Sequence, residues 1–196
     1  MKFRAIHQLA AGFAAGDAIS LEAVAIRDAC RALGAASEIY VPAERTARDC
    51  RATVRPLEEF RPAPGDLLIY HYSIQSAATD VFRAAAMPKV AIYHNVTPAS
   101  YFRAFDEQVA AQLEAARREL AAVAGAADAV WADSAFNAAE LAAAGARDVR
   151  VLPLLFSAPA FDVPADPVVR QGLATPSKKI LFVGRLAPNK CVEELI

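Results

Sequence analysis

The chain has 196 residues, 56% of them hydrophobic, and its 21 basic and 22 acidic side chains leave a net charge of -1. That balance excludes a global attraction to nucleic acid or to an anionic membrane, so any anion site has to be local. Cys30, Cys50 and Cys191 lie far apart with no C-x-x-C spacing, which argues against a zinc site or a disulfide framework and fits a reducing cytoplasm.

The opening "MKFRAIHQLAAGFAAGDA" has the early cations and small residues of a signal peptide, but His7 and Gln8 interrupt the apolar stretch and Asp17 closes it. No run of 18 apolar residues occurs, so no membrane-spanning helix is expected. Short apolar runs follow in order: "FRAIHQL", "SEIYV", "DLLIYHY", "KVAIYHN", "DAVWAD", "VRVLPLL" and "KILFVG". Segments with helical periodicity separate them, and that alternation predicts an α/β fold, a Rossmann-like parallel sheet with helices on both faces. The first helix is predicted from about Ala18 to Leu33, with Asp17 as N-cap, Gly34 as stop, and Ile19, Ala23, Ile26 and Cys30 on its core face.

The basic stretch "ERTARDCRATVRPLEEFRPAPGD" reads as a solvated loop. A long alanine-rich helix is expected from about Phe105 to Val123, its stripe of Val109, Leu113 and Leu120 facing the core. Ser134 should cap the next helix, which stops at Gly145. The proline-rich "FSAPAFDVPADPVVRQGLATPSKK" reads as a linker. The organisation expected is a first domain over residues 1–155, a linker over 156–177, and the opening strand and helix of a second αβ domain over 178–196.

In a parallel sheet, ligands bind along the edge formed by the strands' C-terminal ends. His7, His71 and His94 are each expected to end a strand there. The first βα loop holds Gly12 and Gly16 ahead of a helix start, where small residues allow close approach and free N–H groups attract an anion. It is neither G-x-G-x-x-G nor a P-loop, so neither a dinucleotide nor a P-loop phosphate site is supported. After Gly184, Arg185 and Lys190 flank a strand-to-helix turn, a spacing that can clamp a diphosphate from two sides.

"GDLLIYHYSI", "KVAIYHNVTP", "ADSAFN" and "FVGRLAPNK" together resemble landmarks of the family 4, or group 1, glycosyltransferases. The resemblance implies a GT-B fold, two Rossmann-like domains facing across a cleft. This chain would then be the acceptor-side domain plus the first strand and turn of the donor domain, the rest of which is missing, and it would be inactive by itself. It also implies that Arg185 and Lys190, with Gly184 and Gly16, hold the donor diphosphate, and that His94 lies beside the donor sugar as the catalytic residue. Asp17, His71, Tyr72, Ser73 and Asn95 would line the acceptor side. Cys191 departs from the pattern, since many relatives have glycine there.

The implied reaction is retaining, moving a sugar from a nucleotide-diphosphate donor to a hydroxyl acceptor such as a growing glycan in bacterial polysaccharide synthesis. No cofactor is expected. The chain has no D-x-D, so no metal is expected and the two cations would supply the charge. The implied location is cytoplasmic, at the inner face of the membrane where the acceptor is a lipid, with peripheral association and no nucleic-acid partner. Two other readings share the pattern: a non-catalytic α/β module that binds a glycan or partner, and a sugar-nucleotide epimerase.

Overall fold

The computed structural model describes residues 3–155 and 162–195. The chain divides into two units, Met1–Leu155 and Phe156–Ile196.

The first unit is built on seven strands: β1 (Ile6–Ala10), β2 (Ile39–Val41), β3 (Arg55–Pro56), β4 (Leu67–Tyr72), β5 (Lys89–Tyr93), β6 (Ala129–Ala132) and β7 (Arg150–Val151). They pair in the order β3-β2-β1-β4-β5-β6-β7, and every pairing is parallel. The helices are α1 (Ala18–Ala32), α2 (Ala77–Ala84), α3 (Glu107–Ala126) and α4 (Ala135–Ala143). The Rossmann-like α/β arrangement expected from the alternating pattern is present. The chain runs outward from β1 to β3 and then crosses back to place β4 on the other side of β1, which makes the β1/β4 boundary the topological switch point.

Strand alternation divides the core in two. Leu68, Tyr70 and Tyr72 point to one face with Tyr93, and pack against Phe82 of α2 and Ala110, Leu113, Ala116 and Leu120 of α3. Ile69 points to the other face with Val90 and Ile92, against Ile26 and Cys30 of α1. Helix starts are fixed by side chains: Asp17 accepts from Ser20 N (2.9 Å), Asp106 from Val109 N (2.9 Å) and Ser134 from Asn137 N (3.2 Å).

Several expectations need correction. First, the basic stretch is not wholly irregular, because β3 pairs with β2 and the buried Leu57 and Phe60 tie it to the core. Second, His7 does not end a strand but is the second residue of β1, its ring edge-on to Tyr40 and Phe60. The hydrophobic run continues through Ala10, so the strand passes straight through it. Third, in the second unit the "KILFVG" segment is not a strand: Ile180, Leu181 and Val183 are 79%, 85% and 84% exposed. A strand needs a neighbour for its N–H and C=O groups, and among the described residues this segment has none.

The helix expected from Lys190 is two short 3-10 turns, Pro188–Lys190 and Val192–Leu195. Cys191 separates them at φ 45°, a left-handed conformation that ends helical winding. The described residues of the expected linker include a helix, α5 (Pro167–Leu173). Pro167 occupies its first turn, and Asp166 caps it by accepting from Val168 N (2.8 Å) and Val169 N (3.2 Å). Among the described residues, no helix is long and apolar enough to cross a membrane.

Candidate ligand site at the C-terminal edge of the sheet

The polar residues on the α1 face climb diagonally toward the C-terminal edge. Gln8 of β1 lies opposite Ile69, His71 lies two residues further along β4, and His94 follows β5 two residues beyond Ile92, the register partner of His71. Asp133 follows β6 at the level of His94, since Ile92 pairs with Trp131. Period-2 alternation puts all four on one face. Gln8 Nε2 donates to the Ala23 carbonyl (2.9 Å), Gln8 Oε1 meets His71 Nε2 (2.8 Å), and His71 Nδ1 meets His94 Nε2 (3.0 Å). His94 Nδ1 faces Asp133 Oδ2 at 3.7 Å.

Glu22 of α1 closes this row from above. Its Oε2 lies 3.5 Å from His94 Nε2 and 3.9 Å from His71 Nδ1, and all three side chains are buried. Leu155 N approaches its other oxygen, Oε1, at 3.4 Å. Burial pushes the Glu22 carboxyl above its ordinary value, against the pull of His94. Burial also drives His71 well below the usual histidine value, and a charge on His94, when it is protonated, lowers it further. Asp133 is half-buried; burial pushes its carboxyl up, but a protonated His94 beside it, with Ser134 and Asn137, more than offsets this and holds it low.

Glu22, His71 and His94 offer three atoms within 4.8 Å of one another, the donor set of a divalent metal. The ring geometry favours a shared proton instead. The imidazoles are 16° from coplanar with centroids 5.2 Å apart, close to the 3.0 Å N···N distance plus the two ring radii. The two nitrogens therefore aim at one another and do not converge on a third point.

A second network borders the row. Asn95, at φ 70°, donates to Asn137 Oδ1 (2.8 Å), and Asn137 Nδ2 donates to Asp133 Oδ1. Tyr93 Oη donates to Glu140 Oε2 (2.9 Å) and accepts from Val96 N (3.0 Å), while Arg117 bonds Glu140 Oε1 (3.1 Å) and the Val96 carbonyl (2.6 Å). Burial and the Glu140 contacts outweigh the Val96 bond, and the Tyr93 hydroxyl is pushed up to about 12.

The residues expected at the site thus fall into three groups. His71, His94 and Asn95 converge on the two linked networks, and Ser73 lies just beyond β4 beside the switch point. Tyr72 lies on the opposite face, where its hydroxyl donates to the Ala116 carbonyl (2.5 Å), and it is 1% exposed. With His71 at 0%, neither presents surface to an acceptor directly. Gly16 is exposed at φ 74°, a conformation glycine adopts without strain. Gly12 lies where an added Cβ would sit 3.3 Å from the Arg45 carbonyl.

Asp17 spends its carboxylate on Ser20 N and Ser20 Oγ (2.8 Å). Asp17→Ala should therefore cost about 1 kcal/mol in urea unfolding, and Asp17→Ser should recover most of it. Gly184, Arg185 and Lys190 belong to the second unit.

Sequence reasoning missed Gln8, Glu22 and Asp133. Glu22 carried a signal, since it stands three residues after Ile19 and four before Ile26, on the helix's core face. Compared with known proteins, the chain matches no family model and no curated protein.

Proposed function

We propose that the chain is the acceptor-side portion of a retaining nucleotide-sugar glycosyltransferase of GT-B type, acting on a hydroxyl acceptor such as a growing glycan. The observation that carries this reading is the placement of the Gly16 loop, Ser73 and His94 at the C-terminal ends of β1, β4 and β5, around the switch point. These are the positions where the resemblance puts the donor-approaching loop, an acceptor contact and the residue beside the donor sugar. Cys191 adds support: its φ of 45° is a conformation that favours glycine, the residue many relatives have there.

In this reading the exposed Gly16 backbone lets the donor phosphate and sugar come close. His94 sits beside the reacting sugar, while Ser73 and Asn95 orient the acceptor. His71 acts from behind, through His94. Arg185 and Lys190 neutralise the leaving diphosphate, so transfer needs no metal. Location at the inner face of a membrane would follow from a lipid acceptor. The test is a panel of UDP-, GDP-, ADP- and dTDP-hexoses incubated with the protein that carries this chain. Release of nucleoside diphosphate from one base class supports the reading, and consumption of none opposes it.

A further inference from the structure

We infer that the gap between His94 Nδ1 and Asp133 Oδ2 is a proton-accepting site at the ligand edge, with Gln8, His71 and Glu22 as positioning residues that keep it open. Hydrogen-bond chemistry fixes each proton in turn. Gln8 commits its amide N–H to the Ala23 carbonyl at 2.9 Å, so its Oε1 can only accept, and the proton 2.8 Å away belongs to His71 Nε2. A neutral, fully buried His71 then presents a bare Nδ1, and the 3.0 Å contact requires His94 to donate from Nε2.

That leaves His94 Nδ1 as a lone pair. It has no hydrogen-bond partner among the described residues and faces a carboxylate oxygen at 3.7 Å. Two acceptors face each other there, and one proton is missing between them. Once that proton arrives, His94 becomes an imidazolium flanked by Asp133 Oδ2 at 3.7 Å and Glu22 Oε2 at 3.5 Å. The groups facing His94 are Glu22 from α1, His71 from β4, and Asp133 from the end of β6 with Asn137 of α4 behind it. Glu22 Oε2 is buried without a hydrogen-bond donor, which makes it the counter-charge waiting on the inner side.

The outer member is Asp133, whose side chain is 15% exposed where those of Glu22 and His71 are 0%. A ligand hydroxyl bonded to Asp133 can pass its proton through Oδ2 to His94 Nδ1. The O–H bond breaks, the N–H bond forms, and the electron pair stays on the ligand oxygen, which becomes the nucleophile. This last step rests on the glycosyltransferase reading, whereas the proton placement does not.

The experiment is long-range 1H–15N correlation NMR of the protein with 15N-labelled histidine rings. At pH 8 the Nε2–H tautomer is expected for both His71 and His94, with His94 Nδ1 giving the signal of an unprotonated ring nitrogen. Asp133→Asn, whose amide can donate to Nδ1, should shift the His94 Nδ1 signal with both tautomers intact, and should lower turnover at least tenfold. Gln8→Met should release the His71 tautomer and move the His94 signals with it. A wild-type His94 or His71 carrying its proton on Nδ1 at pH 8 overturns the assignment without any variant having to fold. If the tautomers are as stated and no sugar nucleotide is consumed, the proton site stands and the glycosyltransferase reading fails.

Discussion

Replacing Arg185 by alanine should lower turnover of the protein that carries this chain by tenfold to a thousandfold, on the order of magnitude for losing one preorganised charge contact to a transition state. The leaving diphosphate gains charge as the glycosidic bond breaks, and a guanidinium fork aimed at it is worth more then than in the ground state. The loss should therefore fall mainly on kcat. Arg185→Lys keeps the charge but not the fork, and should recover part of the rate. A steady-state comparison of the three forms decides the point. Turnover of Arg185→Ala within about threefold of wild type would remove the diphosphate clamp from the account.

The second large effect concerns the buried row and pH. His71 is held well below the unfolded histidine value of 6.5, so the stability it contributes is present above 6.5 and is lost as pH falls. Glu22 is shifted the other way, above the carboxyl value of 4.5, so its contribution is present below 4.5 and is lost as pH rises through its folded value. The two slopes oppose one another in mildly acidic solution, each bounded by about 1.4 kcal/mol per pH unit. Glu22→Gln removes the second slope and leaves the first. The variant should be more stable than wild type at pH 7 to 8, by on the order of 1 kcal/mol, because a buried charge with one oxygen unpartnered and only the long Leu155 N contact on the other is gone. That advantage should shrink toward pH 4.5, where wild-type Glu22 is protonated as well. Urea unfolding at several pH values measures it, and an advantage that grows with acid would contradict the assigned directions.

How far the sequence revealed this structure follows from what each segment depends on. The strands from β1 to β6 whose apolar runs are buried on both faces were legible, because a parallel sheet covered by helices writes itself as continuous hydrophobic stretches. So were the caps at Asp17 and Ser134, which act within three residues. β3 was not legible, since two exposed residues, Arg55 and Pro56, carry no strand pattern and owe their pairing to Tyr40 and Val41 far away in sequence. The segment from Ile180 to Val183 fails in the opposite sense. Its composition is that of a core strand, but composition cannot supply the neighbouring backbone that a strand requires.

At the site, His71 and His94 stood out as histidines at strand ends, but their burial depends on α1 lying across them. Gln8 and Glu22 were hidden for the same reason. Each is an ordinary polar residue until the register of β1 against β4, and the core face of α1, bring them together. Tyr72 shows the cost of reading a motif without its alternation: in "YHY" the histidine and the tyrosines point to opposite faces of the sheet.

The most direct test of the central claim follows a sugar nucleotide labelled in its sugar through reaction with the protein that carries this chain and a mixture of hydroxyl acceptors. The account predicts that the label moves to an acceptor with its anomeric configuration retained, and that one nucleoside diphosphate appears for each sugar moved. Label that stays on the nucleotide in an epimerised sugar, or a donor returned unchanged, would contradict it.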